Sequence, residues 1–124
     1  MSGQEIILFA HGARDPEWAA PFGVIRKKLQ AARPGTRVEV AFLDFMTPTL
    51  EAAVAQAATR GALRVVVVPL FMAQGGHLKQ DLPLLVDKIR RQQPQLQIEV
   101  MSAIGDAPEI LQAIADWVLH GTAA

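Results

Sequence analysis

Residues 64–81 read RVVVVPLFMAQGGHLKQD, and this stretch decides the fold. Its first part, Arg64–Phe71, is an unbroken apolar run of strand length. Such a run is the pattern of a strand covered on both faces, hence of a parallel sheet's interior. Pro69 is the awkward residue, since proline lacks the N–H of a ladder bond; near the strand's end that bond can be missing. The second part, from Met72 to Asp81, is a long loop holding Gly75, Gly76 and His77.

Working outward, three further runs have strand length: Glu5–Ala10, Arg37–Leu43 and Gln97–Ala103. Between and after them lie four segments of helical period, marked by Phe22, Ile25, Leu29 and Ala32, by Leu50, Ala53, Val54 and Ala57, by Leu82, Leu85, Val86 and Ile89, and by Ile110, Leu111, Ile114 and Val118. Pro16, Pro48, Pro83 and Pro108 each follow an Asp or Thr by one or two residues and predict helix starts. Asp15 and Asp81 read as helix caps, and Asp106-Ala107-Pro108-Glu109 has capping-box spacing. Pro34, Pro94 and Gly61 mark helix ends.

Four β-α units in series imply a parallel sheet with right-handed crossovers. Ile6–Ala10 is continuously apolar like Val65–Phe71, so both strands are central. Arg37-Val38-Glu39-Val40 and Gln97-Ile98-Glu99-Val100 alternate, as half-exposed edges do. The expected architecture is α/β, a flavodoxin-like half-sheet of order 2-1-3-4 with helices on both faces.

Composition bounds the rest. The chain has 124 residues, the size of one domain spanning 1–124, and 51% of them are hydrophobic. With no cysteine, disulfide frameworks, thiolate metal sites and cysteine nucleophiles are excluded, and a reducing cytoplasm fits. Twelve Lys and Arg balance twelve Asp and Glu, which argues against a nucleic-acid partner. The longest apolar stretch, Val65–Ala73, is far short of the ~20 residues of a membrane span. Met1–Glu5 is short and polar, so no signal peptide is expected.

The strand order makes a functional prediction. Strands 1 and 3 are neighbours whose helices leave to opposite faces, and the crevice outside their carboxyl ends is where such folds bind ligands. His11-Gly12-Ala13-Arg14-Asp15 follows strand 1 and the loop to His77 follows strand 3. Each histidine alone can be a structural residue; two facing one cleft point to function. Neutral imidazoles there suit Co, Ni, Zn or Fe(II), and equally suit proton abstraction. Gly75 and Gly76 permit close approach of a ligand to backbone N–H groups. Asp44, after strand 2, can ligate a metal, orient a histidine or serve the turn before Thr47-Pro48. Arg14 and Lys79 flank the histidines and can grip carboxylates, although Lys79 reads equally well as solvated surface charge. His120 reads as a structural cation at a helix C-terminus, and Met72 and Phe71 as packing. There is no GxGxxG and no GxxxxGK[ST], so dinucleotide and P-loop readings fail.

The segments LFAHGARDP, AFLDFMTPTLEAAV and VVVVPLFMAQGGHLKQDLP closely resemble the CbiX family of small sirohydrochlorin cobaltochelatases, relatives of the ferrochelatase-type class II chelatases. The resemblance runs over nearly the whole chain at collinear spacing. It implies a chelatase-like fold and ATP-independent insertion of a divalent metal, Co2+ foremost with Ni2+ or Fe2+ in relatives, into sirohydrochlorin or a related tetrapyrrole. The metal enters as substrate, and no organic cofactor is implied. The family's two active-site histidines map onto His11 and His77. Asp44 stands where a longer acidic residue is common, and Ala13 where the family often has serine. The tetrapyrrole's carboxylates make Arg14, Lys79 and the Gly75-Gly76 amides its expected anchors. Larger class II enzymes face two such domains across the macrocycle. One domain alone leaves the crevice with a single wall, so a homodimer is expected. A non-catalytic metal or tetrapyrrole carrier with the same two histidines is the alternative. A phosphohistidine phosphatase wants an arginine where Ala10 stands, and a receiver domain wants acidic residues where His11 and Pro69-Leu70-Phe71 stand.

Overall fold

The computed structural model describes residues 3–122. Strands β1 (Gln4–Ala10), β2 (Arg37–Phe42), β3 (Arg64–Pro69) and β4 (Gln97–Val100) form one parallel sheet in the order β2-β1-β3-β4. Helix α1 (Ala20–Ala32) joins β1 to β2, α2 (Leu50–Thr59) joins β2 to β3, and α3 (Gly76–Gln92) joins β3 to β4. Helix α4 (Pro108–His120) follows β4 after a single 3-10 turn, Ile104–Asp106, and another such turn, Pro16–Ala19, precedes α1. The predicted order and edges are those observed.

Register sorts the side chains. Ile6 lies level with Val38 and Val66, and Val66 with Glu99, so these residues share one face of the sheet. The other face carries Ile7, Phe9, Ala41, Val65, Val67 and Ile98, and here the core forms. Leu50, Ala53, Val54 and Ala57 of α2 and Leu78, Leu82, Val86 and Ile89 of α3 close over it. Each large side chain so buried stabilises the fold by roughly 1.5–3 kcal/mol before entropy is counted. Right-handed crossovers in this order put α2 and α3 on one face and α1 on the opposite one. Helix α1 ties itself to the outer edge of β2 by polar side chains. Arg26 Nε donates to the Val38 carbonyl (2.8 Å), Gln30 Nε2 donates to the Thr36 carbonyl (2.7 Å), and the Val38 N–H donates to Gln30 Oε1 (3.0 Å). On the opposite edge Arg90 donates to the Ile98 carbonyl (2.8 Å). Both edges thus have backbone groups engaged that would otherwise invite another strand.

Three local expectations fail. Helix α3 starts at Gly76, a full turn before the start that Asp81 and Pro83 suggest, and Pro83 sits inside it. Asp81 is therefore no cap. The helical burial period extends back to Leu78, four residues before Leu82, and packing of that turn outweighs the single backbone bond that proline removes. The Asp106 capping box also fails: the N-cap of α4 is Ala107, with no side-chain cap, and Asp106 belongs to the preceding 3-10 turn. Pro48 lies before its helix, whose cap is Thr49, the hydroxyl accepting from the Ala52 N–H (3.2 Å). Asp15 does cap, accepting from the Glu17 N–H (3.0 Å) at the Pro16–Ala19 turn. Strands β3 and β4 end before Phe71 and Ala103, because the chain leaves the ladder after Pro69 and Val100 to build the loops of the site.

Candidate functional site

The loops after all four strands are stitched together at the carboxyl edge of the sheet. Leu43 N–H donates to the Ala10 carbonyl (2.9 Å) and Asp44 N–H to the His11 carbonyl (2.9 Å). Leu70 N–H donates to the Phe9 carbonyl (2.8 Å), and Gly105 N–H to the Phe71 carbonyl (3.0 Å). These bonds continue the sheet's pairing for a residue or two past its formal end. They hold His11 between the loops that follow β2 and β3.

His11 is exposed, and its ring packs edge-on to Phe71 with centroids 4.5 Å apart and planes at 66°. Phe71 is buried and meets Phe9 in turn (5.5 Å, 80°). The imidazole therefore rests on an aromatic base rooted in the core, which limits its motion without engaging its nitrogens. His77 lies in the first turn of α3, one residue past Gly76, also exposed. His11 thus directly follows β1, and His77 stands in the first turn of the helix that follows β3, the strand next to it.

Glycine is required at two points. Gly12 has φ +86°, and a Cβ there would stand 1.8 Å from the Asp44 carbonyl oxygen. A Cβ on Gly105 would stand 1.6 Å from the Met72 carbonyl oxygen. These contacts let the loop after β1 lie against the loop after β2, and the 3-10 turn lie against the loop after β3. Gly75 and Gly76 are open, with nothing within 4 Å of a built Cβ. Gly75 is the N-cap of α3 in extended conformation, so free amides of the helix start lie beside His77.

The other expected site residues divide. Asp44 is drawn to the site by its backbone bond to His11, while its Oδ1 accepts from the Phe45 N–H (2.9 Å). Arg14 lies over the Phe45 ring, 5.0 Å from its centroid, which bridges the loops after β1 and β2. Lys79, on α3, lines a groove of about 380 Å³ with Gln74, Ser102 and Arg90. Among the described residues no three His, Asp or Glu side chains gather into a group that could hold a metal ion. His120 lies apart at the end of α4, its Nδ1 2.8 Å from the Asp116 carbonyl oxygen. The aromatic base Phe71 and the packing glycines Gly12 and Gly105 escape a sequence reading. An aromatic residue closing an apolar run is a weak signal for a base under a histidine.

Among the described residues, the one ionisable group clearly shifted lies at the far end of the sheet. Arg60 at the end of α2 donates twice to the buried Glu5 carboxylate (2.6 and 3.1 Å), and that hydrogen bonding raises its pKa above the ordinary arginine value. It supports the fold and takes no part in the crevice.

With this geometry in hand, comparison with known proteins is direct. The CbiX family profile matches residues 5–120. A sirohydrochlorin cobaltochelatase of Saccharolobus islandicus is 40% identical over 81 residues, 65% of this chain and 62% of that protein. This chain thus aligns with somewhat under two thirds of that relative's length. A CbiX protein of cobalamin (vitamin B12) biosynthesis from Marinobacter aquaeolei VT8 superposes with a TM-score of 0.83 at 29% identity, covering 95% of this chain and 96% of its own. The sirohydrochlorin chelatase SirB of Bacillus subtilis subspecies spizizenii, solved with cobalt, shares the fold with a TM-score of 0.77 at 24% identity; 94% of this chain covers 50% of that one. A profile match over nearly the whole chain, together with the shared fold, means that this protein belongs to the CbiX family.

Proposed function

We propose that this chain catalyses insertion of a divalent metal ion, Co2+ foremost, into sirohydrochlorin or a closely related tetrapyrrole, without ATP. The observation that carries the reading is the pair of exposed histidines in the segments that follow the adjacent strands β1 and β3 in a CbiX-family fold, one of them seated on Phe71. Metallation exchanges two pyrrole N–H protons for the metal ion. In this reading His11 and His77 do two things in turn: their neutral nitrogens hold the incoming ion and release it, and they accept the departing protons. Asp44 assists at the edge of the loop after β2, as a further ligand or by orienting His11.

Substrate carboxylates fall to Arg14, Lys79 and the amides around Gly75 and Gly76. Helix N-terminal amides favour anions because their N–H groups have no partner within the helix. Arg14, already placed over Phe45, presents a planar fork suited to a carboxylate. The site is a single-walled crevice, whereas ligand sites bury most of their ligand, and the reading supplies the second wall from a second copy in a homodimer. A cysteine-free chain suits work in a reducing cytoplasm.

Anaerobic mixing of the protein with sirohydrochlorin and Co2+, followed by absorbance, tests the reading. A metallation rate well above the protein-free rate is expected. A rate equal to the protein-free one, with tetrapyrrole or metal still bound, would make the protein a carrier instead. Competition among Co2+, Ni2+ and Fe2+ in the same assay assigns the preferred metal.

A further inference from the structure

Among the described residues, Phe45 is the one non-glycine residue with positive φ, at +66°. The Met46 N–H donates to the Asp44 carbonyl (2.8 Å), which closes a three-residue γ-turn with Phe45 at its centre. Asp44 Oδ1 accepts from the Phe45 N–H (2.9 Å) and steadies the same turn. A γ-turn of this hand is rare and strained, and glycine would hold it at lower cost. Packing does not explain an aromatic side chain here, since Phe45 is 58% exposed. Strain of this kind gathers where a chain displays a group to a ligand.

The turn is tied to the histidine edge. The Asp44 N–H donates to the His11 carbonyl, and Gly12 lets the two loops touch. Arg14 reaches from the loop after β1 over the Phe45 ring, and among the described residues no carboxylate pairs with it. On the other flank Met72, in the loop after β3, is 54% exposed, with its backbone lying against Gly105. Strand β1 lies between β2 and β3, so the loop bearing His11 has an exposed apolar side chain in the loop on each side. Two strand spacings set β2 and β3 about 10 Å apart, a span that one flat macrocycle bridges.

We propose that Phe45 and Met72 form the surface on which one face of the tetrapyrrole rests, with its centre over His11, and that Arg14, held on Phe45, grips a carboxylate at the same edge. The proposal rests on the chelatase reading above and adds residues that position the substrate. An aromatic ring stacks on a flat π-system, and a thioether packs adaptably against one. A guanidinium lying on a ring keeps its fork free for a carboxylate in its own plane. Face and rim are thus read together: a flat ligand without carboxylates, or a carboxylate without a flat ring, engages only half of the pair.

Titration of metal-free sirohydrochlorin into the folded protein, followed by its fluorescence, tests the proposal. Phe45→Gly should raise Kd roughly tenfold. Because it relieves the turn, its melting temperature should equal or exceed that of the parent chain. Phe45→Trp should restore the parent Kd. Arg14→Ala should also raise Kd, and combining it with Phe45→Gly should raise it by less than the product of the two, because the ring seats the guanidinium. Leu63→Ala, just before β3 and 72% exposed, should leave both Kd and the metallation rate unchanged. A Phe45→Gly chain with the parent Kd overturns the proposal. So does a loss of affinity that comes with a lower melting temperature and is not restored by Phe45→Trp. Its failure is distinguishable from that of the chelatase reading. A parent chain that metallates while Phe45→Gly binds as tightly removes only the platform, and a chain that shows these binding effects but never metallates removes only the catalytic function.

Discussion

Helices α3 and α4 are written in the same pattern and end in opposite places. Leu78, Leu82, Val86 and Ile89 repeat along α3 at helical spacing and are all buried against β3 and β4. Leu111, Ile114 and Val118 repeat along α4 in the same way and stay exposed. The difference lies in the connections. Helix α3 must return the chain from β3 to β4, and a right-handed crossover of two neighbouring strands lays it on the sheet. Helix α4 joins no two strands of the described sheet, so no crossover lays it on that sheet. An apolar stripe states that a surface is to be covered and leaves the identity of the cover open.

Five changes sharpen or break this contrast. The largest effect is expected at the root of α3, where His77→Ala should lower the metallation rate on the order of 10²–10⁴-fold. Because His77 is exposed, the melting temperature should barely move; a large drop in stability would mean that the residue serves the helix rather than the chemistry. Phe71→Ala should cost about 3–5 kcal/mol in denaturant unfolding, and metallation should also fall because His11 loses its base. Ile89→Ala, within the buried stripe of α3, should cost about 2–5 kcal/mol and leave the metallation rate per folded molecule unchanged.

Arg60→Ala tests the far end of the closed face. It strands the Glu5 carboxylate, whose side chain is 9% exposed, and should cost roughly 2–3 kcal/mol. The folded-state pKa of Arg60 is raised, so the arginine's contribution is complete below its unfolded value and fades only as pH climbs through the folded one. The penalty should therefore be flat across neutral pH. The smallest effect belongs to α4. Ile114→Ala should change the stability of a dilute single copy by no more than about 0.5 kcal/mol. If the proposed homodimer covers this stripe, the same change should instead lower the melting temperature more at low protein concentration than at high. An equal cost for Ile89→Ala and Ile114→Ala at all concentrations would erase the contrast between the helices.

Much of the fold is legible in one dimension. Continuous runs at Ile6–Ala10 and Val65–Phe71 against alternation at Arg37–Val40 and Gln97–Val100 separate central from edge strands, because burial on two faces and on one leave different periods. The closeness of the segments that leave β1 and β3, seen in the contact of His11 with Phe71, follows from that order. Local punctuation misleads where packing is stronger. Asp81 and Pro83 imitate a helix start, yet burial of Leu78 carries α3 a turn further upstream and places His77 and Lys79 on a helix.

Sequence by itself determined the parallel α/β sheet, its strand order, the two histidines and the family likeness, since each rests on period, spacing or residue type along the chain. Tertiary structure alone decided that Phe71 supports His11, that Gly12 and Gly105 let the loops lie in contact with Asp44 and Met72, and that α4 is left without a surface to cover. Those facts depend on which atoms meet across long separations in sequence, and no period along one strand or helix encodes them.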